Sequence, residues 1–259
     1  MKKIKWHRSE SIGSTNTYLR SLNGGDPAYD YEVAVAAFQT AGRGQKGNSW
    51  ESEAGKNLLF SILAHPKNIK VKEQFYISEA IALAVSDSVI AAIGPEFAGG
   101  VSVKWSNDVY WNDCKMAGIL IENTLQGDRI LDTVAGVGLD VNQELFVSDA
   151  PNPISLKNIT GKEYDLEALL SDIIDRFIGY MDLPASERPH VDQTYRDRLY
   201  RREGYHKFRD EKGEFQACIE GIRPDGCLML LTDDGRKRVY EFKQVKFILG
   251  SDPFCTCKG

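Results

Sequence analysis

Three glycines, Gly42, Gly44 and Gly47, fall in the stretch TAGRGQKGNSW with the spacing G-x-G-x-x-G, and the runs on either side of them constrain the fold. Before them lies EVAVAAF, residues 32–38; after them, past Asn48, Ser49 and Trp50, comes NLLFSILA, residues 57–64, which ends before Pro66. Both runs are short and apolar, so they read as strands. In a dinucleotide-binding turn the third glycine packs a helix whose N-terminus holds the pyrophosphate. No helix follows here, so that reading fails. What remains is a strand-to-strand loop whose bare N–H groups can converge on an anion, with Arg43 adding a planar five-donor fork. Spacing alone leaves two readings open, an anion-binding loop and a plain glycine-rich turn.

Around this loop the pattern predicts strands alternating with helices. Ile77, Ile81, Val85 and Val89 recur at i+4 before Gly94-Pro95, which predicts a helix packed on a sheet. Residues 101–105, 115–123 and 129–142 read as strands, and 151–161 (PNPISLKNITG) as a loop. Leu166, Leu169, Leu170, Ile173, Ile174, Phe177, Ile178 and Met181 then keep a helical period behind Asp165, a candidate N-cap. A shorter charged helix follows over 191–204. Past Gly204 the texture changes to short strands separated by Pro224-Asp225-Gly226 and Asp233-Asp234-Gly235, hairpin signals that suggest a small barrel. The expectation is an α+β fold, a mixed sheet with packing helices over residues 1–204 and a small β-barrel over 205–259.

With 42% apolar and 27% charged residues and a net charge of −5, the chain matches an ordinary globule and lacks the basic face that sequence-independent nucleic-acid binding needs. No apolar leader follows the N-terminal lysines and no run of about 18 apolar residues is seen, so a cytoplasmic protein is expected, monomer or homodimer. The five cysteines follow no common zinc spacing and read as reduced.

Three clusters carry chemistry-bearing side chains, each with a plainer alternative. Ser14, Thr15 and Asn16 stand before a predicted helix, where they serve a ligand or cap the helix. Lys104, Asn107, Asp108 and Lys115 surround a predicted strand-turn-strand. Asn107-Asp108 is also common turn chemistry, whereas Lys115, turned inward before an apolar strand, is costly unless it meets an anion. Gly138, in GVGLDVN, marks close approach by a ligand or a bulge.

Taken in order, STN, QTAGRGQKGNSW, GKNLLFSI, KWSNDVYWNDCKMAGILIEN and GVGLDVNQ closely resemble the biotin protein ligase family, a branch of the superfamily shared with lipoate ligases. The likeness spans Ser14 to Gln143 and continues more weakly through the C-terminal strands. It implies a class II synthetase-like catalytic domain with an SH3-like barrel. The implied activity is ATP- and Mg²⁺-dependent: biotin becomes biotinyl-5′-AMP and passes to a lysine of a biotin carboxyl carrier protein. On the family's pattern Ser14, Thr15, Asn16, Gln39, Arg43, Gly44, Gln45, Lys115 and Gly118 would face biotin. Gly42, Gly47, Trp50, Lys104, Asn107, Lys115 and Asn142 would face ATP or the adenylate. Lys115 and Arg43 would be catalytic, and Asp108 is the one metal-ligand candidate. Two departures stand out. Gln45 replaces the second arginine of the G-R-G-R found in many members, which removes one charge near the adenylate. Only 13 residues precede Ser14, so no DNA-reading winged helix is expected ahead of it and no DNA partner. A lipoate or octanoate ligase or transferase, and a biotin or adenylate sensor without turnover, are the competing readings.

Overall fold

The structure is a computed structural model and describes residues 2–44, 50–147 and 152–249. In chain order the first half runs β1 (Ile4–Ile12), α1 (Thr15–Ser21), β2 (Tyr31–Gln39), β3 (Leu58–Ala64), α2 (Phe75–Ile93), α3 (Pro95–Ala98), β4 (Val101–Lys104), β5 (Asp108–Trp111), β6 (Cys114–Gln126) and β7 (Arg129–Leu139). The second half runs α4 (Leu156–Thr160), α5 (Leu166–Asp182), α6 (Arg188–Asp197), β8 (His206–Asp210), β9 (Gly213–Ile222), β10 (Leu228–Thr232), β11 (Lys237–Tyr240) and β12 (Lys246–Phe247).

The first seven strands form one mixed sheet in the order β1-β2-β3-β7-β6-β5-β4. Only β1 and β2 pair in parallel, which requires a crossover between them, and α1 is that crossover. β3 is buried along its whole length and reads as a continuous apolar run broken by Ser61. α2 lies over the sheet and is buried on nearly all sides, so its apolar residues are not confined to one stripe. By length and composition the helical stretch 71–93 is apolar enough to cross a membrane although polar residues interrupt it, and 72% of its most apolar 18-residue window is buried inside the protein. α5 keeps its expected apolar stripe, and Asp165 caps it by accepting from Glu167 N and Ala168 N.

The last five strands form an antiparallel sheet in the order β11-β10-β9-β8-β12. The expected barrel is not closed: among the described residues β11 and β12 are the two ends of the sheet, and β12, two residues long, pairs only with β8. Too short an end strand offers no ladder to close the ring. This sheet shares one apolar core with the first, for Phe208, Leu228 and Leu230 belong to the same cluster as Phe75, Ile81 and Tyr195. Trp105 Nε1 donates to Gly226 O at 2.9 Å, and a Cβ on Gly226 would lie 2.8 Å from the Phe75 ring.

Several local features escaped the sequence reading, among them the short α3 that begins at the Gly94-Pro95 stop. β1 is an edge strand rich in charged residues and half-exposed, so it carries no apolar run. β8 is similarly charged, and α4 is a single capped turn inside the segment read as loop. Cys114 is disulfide-bonded, against the expectation of reduced thiols, while Cys218 and Cys227 are free. Sequence spacing does not report which cysteines a fold brings together.

Candidate functional site

The crossover geometry places the start of α1 beside the end of β2, and these two chain segments make the floor of a cleft. Ser14 is the N-cap of α1, its hydroxyl accepting from Thr17 N at 3.4 Å, so the capping alternative holds for this residue while it also lines the cleft. Thr15 N donates to Gln39 Oε1 at 2.7 Å, and the Thr15 hydroxyl lies 2.7 Å from Ser61 Oγ. Ser61 in turn bonds Asn16 Oδ1 at 2.5 Å. Asn16 Nδ2 donates to Leu120 O and to Glu122 Oε2, both at 3.1 Å. These polar side chains are buried except for Gln39 and Glu122, which are half-buried. Each is satisfied, as buried polar groups must be.

The walls come from β6 and β7, where glycines admit close neighbours. A Cβ on Gly136 would sit 1.8 Å from Asn16 Oδ1. On Gly138 it would meet the Trp50 ring at 2.5 Å, and on Gly118 at 2.8 Å. The pairing of β7 with β3 and β6 is regular through Gly136 and Gly138, so these glycines serve close approach and not a bulge. The Trp50 indole therefore lies in the cleft, with its Nε1 buried and without a hydrogen-bond partner among the described residues. About 50 Å³ of room remains, enough for a few waters.

Cations rim the cleft. Lys115 Nζ stands 2.7 Å from Asp108 Oδ1 and 5.6 Å from the Trp50 ring centroid. The anion that its position demands is thus supplied by Asp108, a neighbour across the β5–β6 hairpin. Arg43 reaches Glu122 at 3.4 Å, and Arg20 reaches the other oxygen of that carboxylate at 2.7 Å. Beneath Lys115, Asp140 is fully buried; burial pushes its carboxyl well above the usual range, with Lys115 opposing the shift. Behind Lys115 lies Lys104, whose affinity for its proton is lowered by burial; Asp108 opposes the shift, and Lys115 and Arg201 reinforce it.

The cleft brings together Ser14, Thr15, Asn16, Gln39, Arg43, Gly44, Trp50, Lys115 and Gly118. Gly42 lies just outside, against the Trp50 backbone. Lys104 is turned toward Tyr110, donating to its hydroxyl at 3.1 Å; Asn107 donates to Ile119 O; Asn142 clasps the backbone of Tyr164 through two bonds of 2.9 Å. None of these three lines the cleft. Gln45 and Gly47 lie outside the described residues. Asp108 faces Lys115 and not a cluster of carboxylates, and no group of three or more His, Cys, Asp or Glu side chains that could hold a metal occurs among the described residues.

Sequence reasoning missed Ser61 and Glu122. The signal was present in both: a lone hydroxyl in the buried run LLFSILA and a lone carboxylate in ILIEN. A polar residue inside an apolar strand is costly unless something meets it.

Residues 9–140 match the model of the biotin/lipoate A/B protein ligase family. Among curated proteins, the chain is 28% identical over 217 residues to the bifunctional ligase/repressor BirA of Bacillus spizizenii, covering 80% of this chain and 64% of that protein. It is 32% identical over 190 residues to the biotin–[acetyl-CoA-carboxylase] ligase of Mycobacterium tuberculosis, covering 72% of this chain and 67% of that one. The chain thus aligns with somewhat under two thirds of the length of the BirA relative. Among solved structures, a biotin protein ligase from Aquifex aeolicus in complex with biotin and ATP shares the fold, with a TM-score of 0.75, 24% identity, and coverage of 96% of this chain and 100% of that chain.

Proposed function

Because this chain belongs to the biotin/lipoate A/B protein ligase family, we propose that it is a biotin protein ligase, using MgATP and transferring biotin to a lysine of a carboxylase's carrier protein. The observation that carries biotin over lipoate is the cleft floor. Thr15 Oγ1 and the Gln39 amide, held from behind by Ser61 and Asn16, are polar groups with which a fused-ring urea can pair, whereas a dithiolane ring offers them no hydrogen bond.

In the proposed reaction a carboxylate oxygen of biotin attacks the α-phosphorus of ATP, the bond to the β-phosphate breaks, and pyrophosphate leaves. The two reacting anions repel, and Lys115 and Arg43 supply charge where it builds up. Both now hold carboxylates, Asp108 and Glu122, which an incoming anion replaces. The carrier's lysine amine then attacks the acyl carbon, AMP leaves with its oxygen, and a proton is lost from nitrogen. The described residues do not form a metal cage, which fits Mg²⁺ arriving as part of the nucleotide substrate and held mostly by phosphate oxygens and water. In this reading residues 1–204 form the adenylate and 205–259 brace it or help dock the carrier. The proposed location is the cytoplasm, where ATP and the carrier are available.

The test is biotin-dependent pyrophosphate release from MgATP by the purified chain, run beside lipoate and octanoate, followed by addition of apo carrier domain. Release with biotin, and biotin on the carrier lysine, is the expected result. Release with lipoate instead moves the chain to the sister activity, and tight biotin binding without release makes it a sensor.

A further inference from the structure

The hydrogen bonds under α1 have a direction that their donors and acceptors dictate. Asn16 Nδ2 faces two acceptors, Leu120 O and the Glu122 carboxylate, so the amide is oriented with Oδ1 toward Ser61. An amide oxygen only accepts. The single Ser61 proton therefore goes to Asn16, across 2.5 Å, and Ser61 Oγ must accept from Thr15 across 2.7 Å. The Thr15 hydroxyl has one proton and a second, longer acceptor in Gln39 Oε1 at 3.2 Å, which already takes the Thr15 N–H; with the proton on the nearer Ser61 Oγ, Thr15 Oγ1 offers the cleft lone pairs alone. On the other side Thr15 N donates to Gln39 Oε1, which turns Gln39 Nε2 outward toward Gly42, 3.6 Å from where a Cβ there would stand. The cleft floor thus offers one fixed acceptor and one fixed donor.

We propose that Ser61, buried on β3, together with Glu122 on β6, are positioning residues that set this polarity, making Thr15 Oγ1 an acceptor that selects a ligand head group bearing an N–H beside a C=O. Neither side chain need touch the ligand. They act through Asn16 and Thr15, and Glu122 is itself held by Arg20 on the surface side. The inference rests on the ligase reading and deepens it: discrimination is built two residues behind the contact surface.

The test compares wild type, Ser61→Ala and Ser61→Cys in biotin-dependent pyrophosphate release, with biotin and with its two ring-nitrogen monomethyl analogues. In wild type, methylation of one nitrogen is expected to cost about a hundredfold in kcat/KM, since it leaves a buried acceptor unpaired. In Ser61→Ala the Thr15 hydroxyl loses its nearer acceptor and keeps only Gln39 Oε1, at 3.2 Å and already taking the Thr15 N–H, so the hydroxyl can turn to donate to the ligand: that ratio should fall about tenfold, KM for biotin should rise about tenfold, and kcat and KM for ATP should change less than twofold. Ser61→Cys, nearly the same size with a weak donor, should lie between, and it carries the test if the alanine variant does not melt cooperatively. An unchanged methylation ratio in a folded variant overturns the relay. No pyrophosphate release by wild type with biotin overturns the ligase reading instead, so the two failures are told apart.

Discussion

Lys115 Nζ and Asp108 Oδ1 stand 2.7 Å apart across the β5–β6 hairpin, the lysine side chain 32% and the aspartate 20% exposed. The cation of the proposed chemistry is therefore held on a carboxylate. A phosphate or carboxylate entering the cleft competes with Asp108 for it. Lys115→Ala should cut biotinyl-AMP formation by about 10²- to 10³-fold, the loss typical of one oriented charge donor, with little change in melting temperature. Asp108→Asn should retain adenylation to within about tenfold. Equal losses in single-turnover assays of the two variants would make Asp108 a participant and not a holding partner.

Gly136 has no room for a side chain, for its Cβ would fall 1.8 Å from Asn16 Oδ1. Gly136→Ala should displace α1 from the sheet, lower stability by about 1–3 kcal/mol, and weaken biotin binding far more than ATP binding. Denaturant melts and isothermal titration of the same preparation measure both effects. A variant that binds biotin normally would show that Asn16 is dispensable.

Trp50 fills the cleft that the adenylate is proposed to enter, with its indole N–H buried and unpartnered among the described residues. Ligand binding should move the ring and change tryptophan emission, and among the four tryptophans the change should vanish in Trp50→Phe. Fluorescence titration with biotin and ATP checks this. A signal that persists in the variant would assign it to another tryptophan.

Glu79 on α2 lies buried against Asp192 of α6. Burial first, then the Asp192 charge and hydrogen bond, raise its pKa from 4.5 to about 8, with Arg196 opposing. Between about 4.5 and about 8 the folded state thus binds more protons than the unfolded chain, so stability falls as pH rises through that window. Glu79→Gln should flatten the decline and gain at least about 1 kcal/mol relative to wild type on going from pH 5 to pH 8. Parallel pH curves for the two proteins in urea melts would remove Glu79 from the account.

Gln45 stands where many relatives of the resembling family carry arginine, and it lies outside the described residues. Gln45→Arg restores a charged donor to the loop and should slow dissociation of biotinyl-AMP by about tenfold. Chase experiments with unlabelled biotin give that rate directly.

Much of the site was legible because its motifs are local. The glycine loop between two strands, the STN segment at a helix start and Lys115 ahead of an apolar strand each carry their chemistry within a few residues. The partners of those groups are not local. Ser61 is 45 residues from Asn16 and Glu122 is 106 residues from it, and only the sheet order β2-β3-β7-β6 sets them side by side. The same distinction explains the errors elsewhere: β1 and β8 are half-exposed strands whose charged residues hide the apolar pattern, and closing a barrel depends on the length of its end strands.

The sequence by itself determined the exclusion of a dinucleotide turn, the amphipathic α5, the hairpins of the C-terminal sheet and the residue types available to bind an anion. These follow from periodicity and backbone chemistry, which act over a few residues. Only the tertiary structure decided that Lys115 is held by Asp108, that Trp50 occupies the cleft and that Lys104, Asn107 and Asn142 are hydrogen-bonded outside its lining. The physical reason is that hydrogen bonds, ion pairs and excluded volume act between groups that meet in space, and the order of strands in a sheet, not their order in the chain, sets which groups meet.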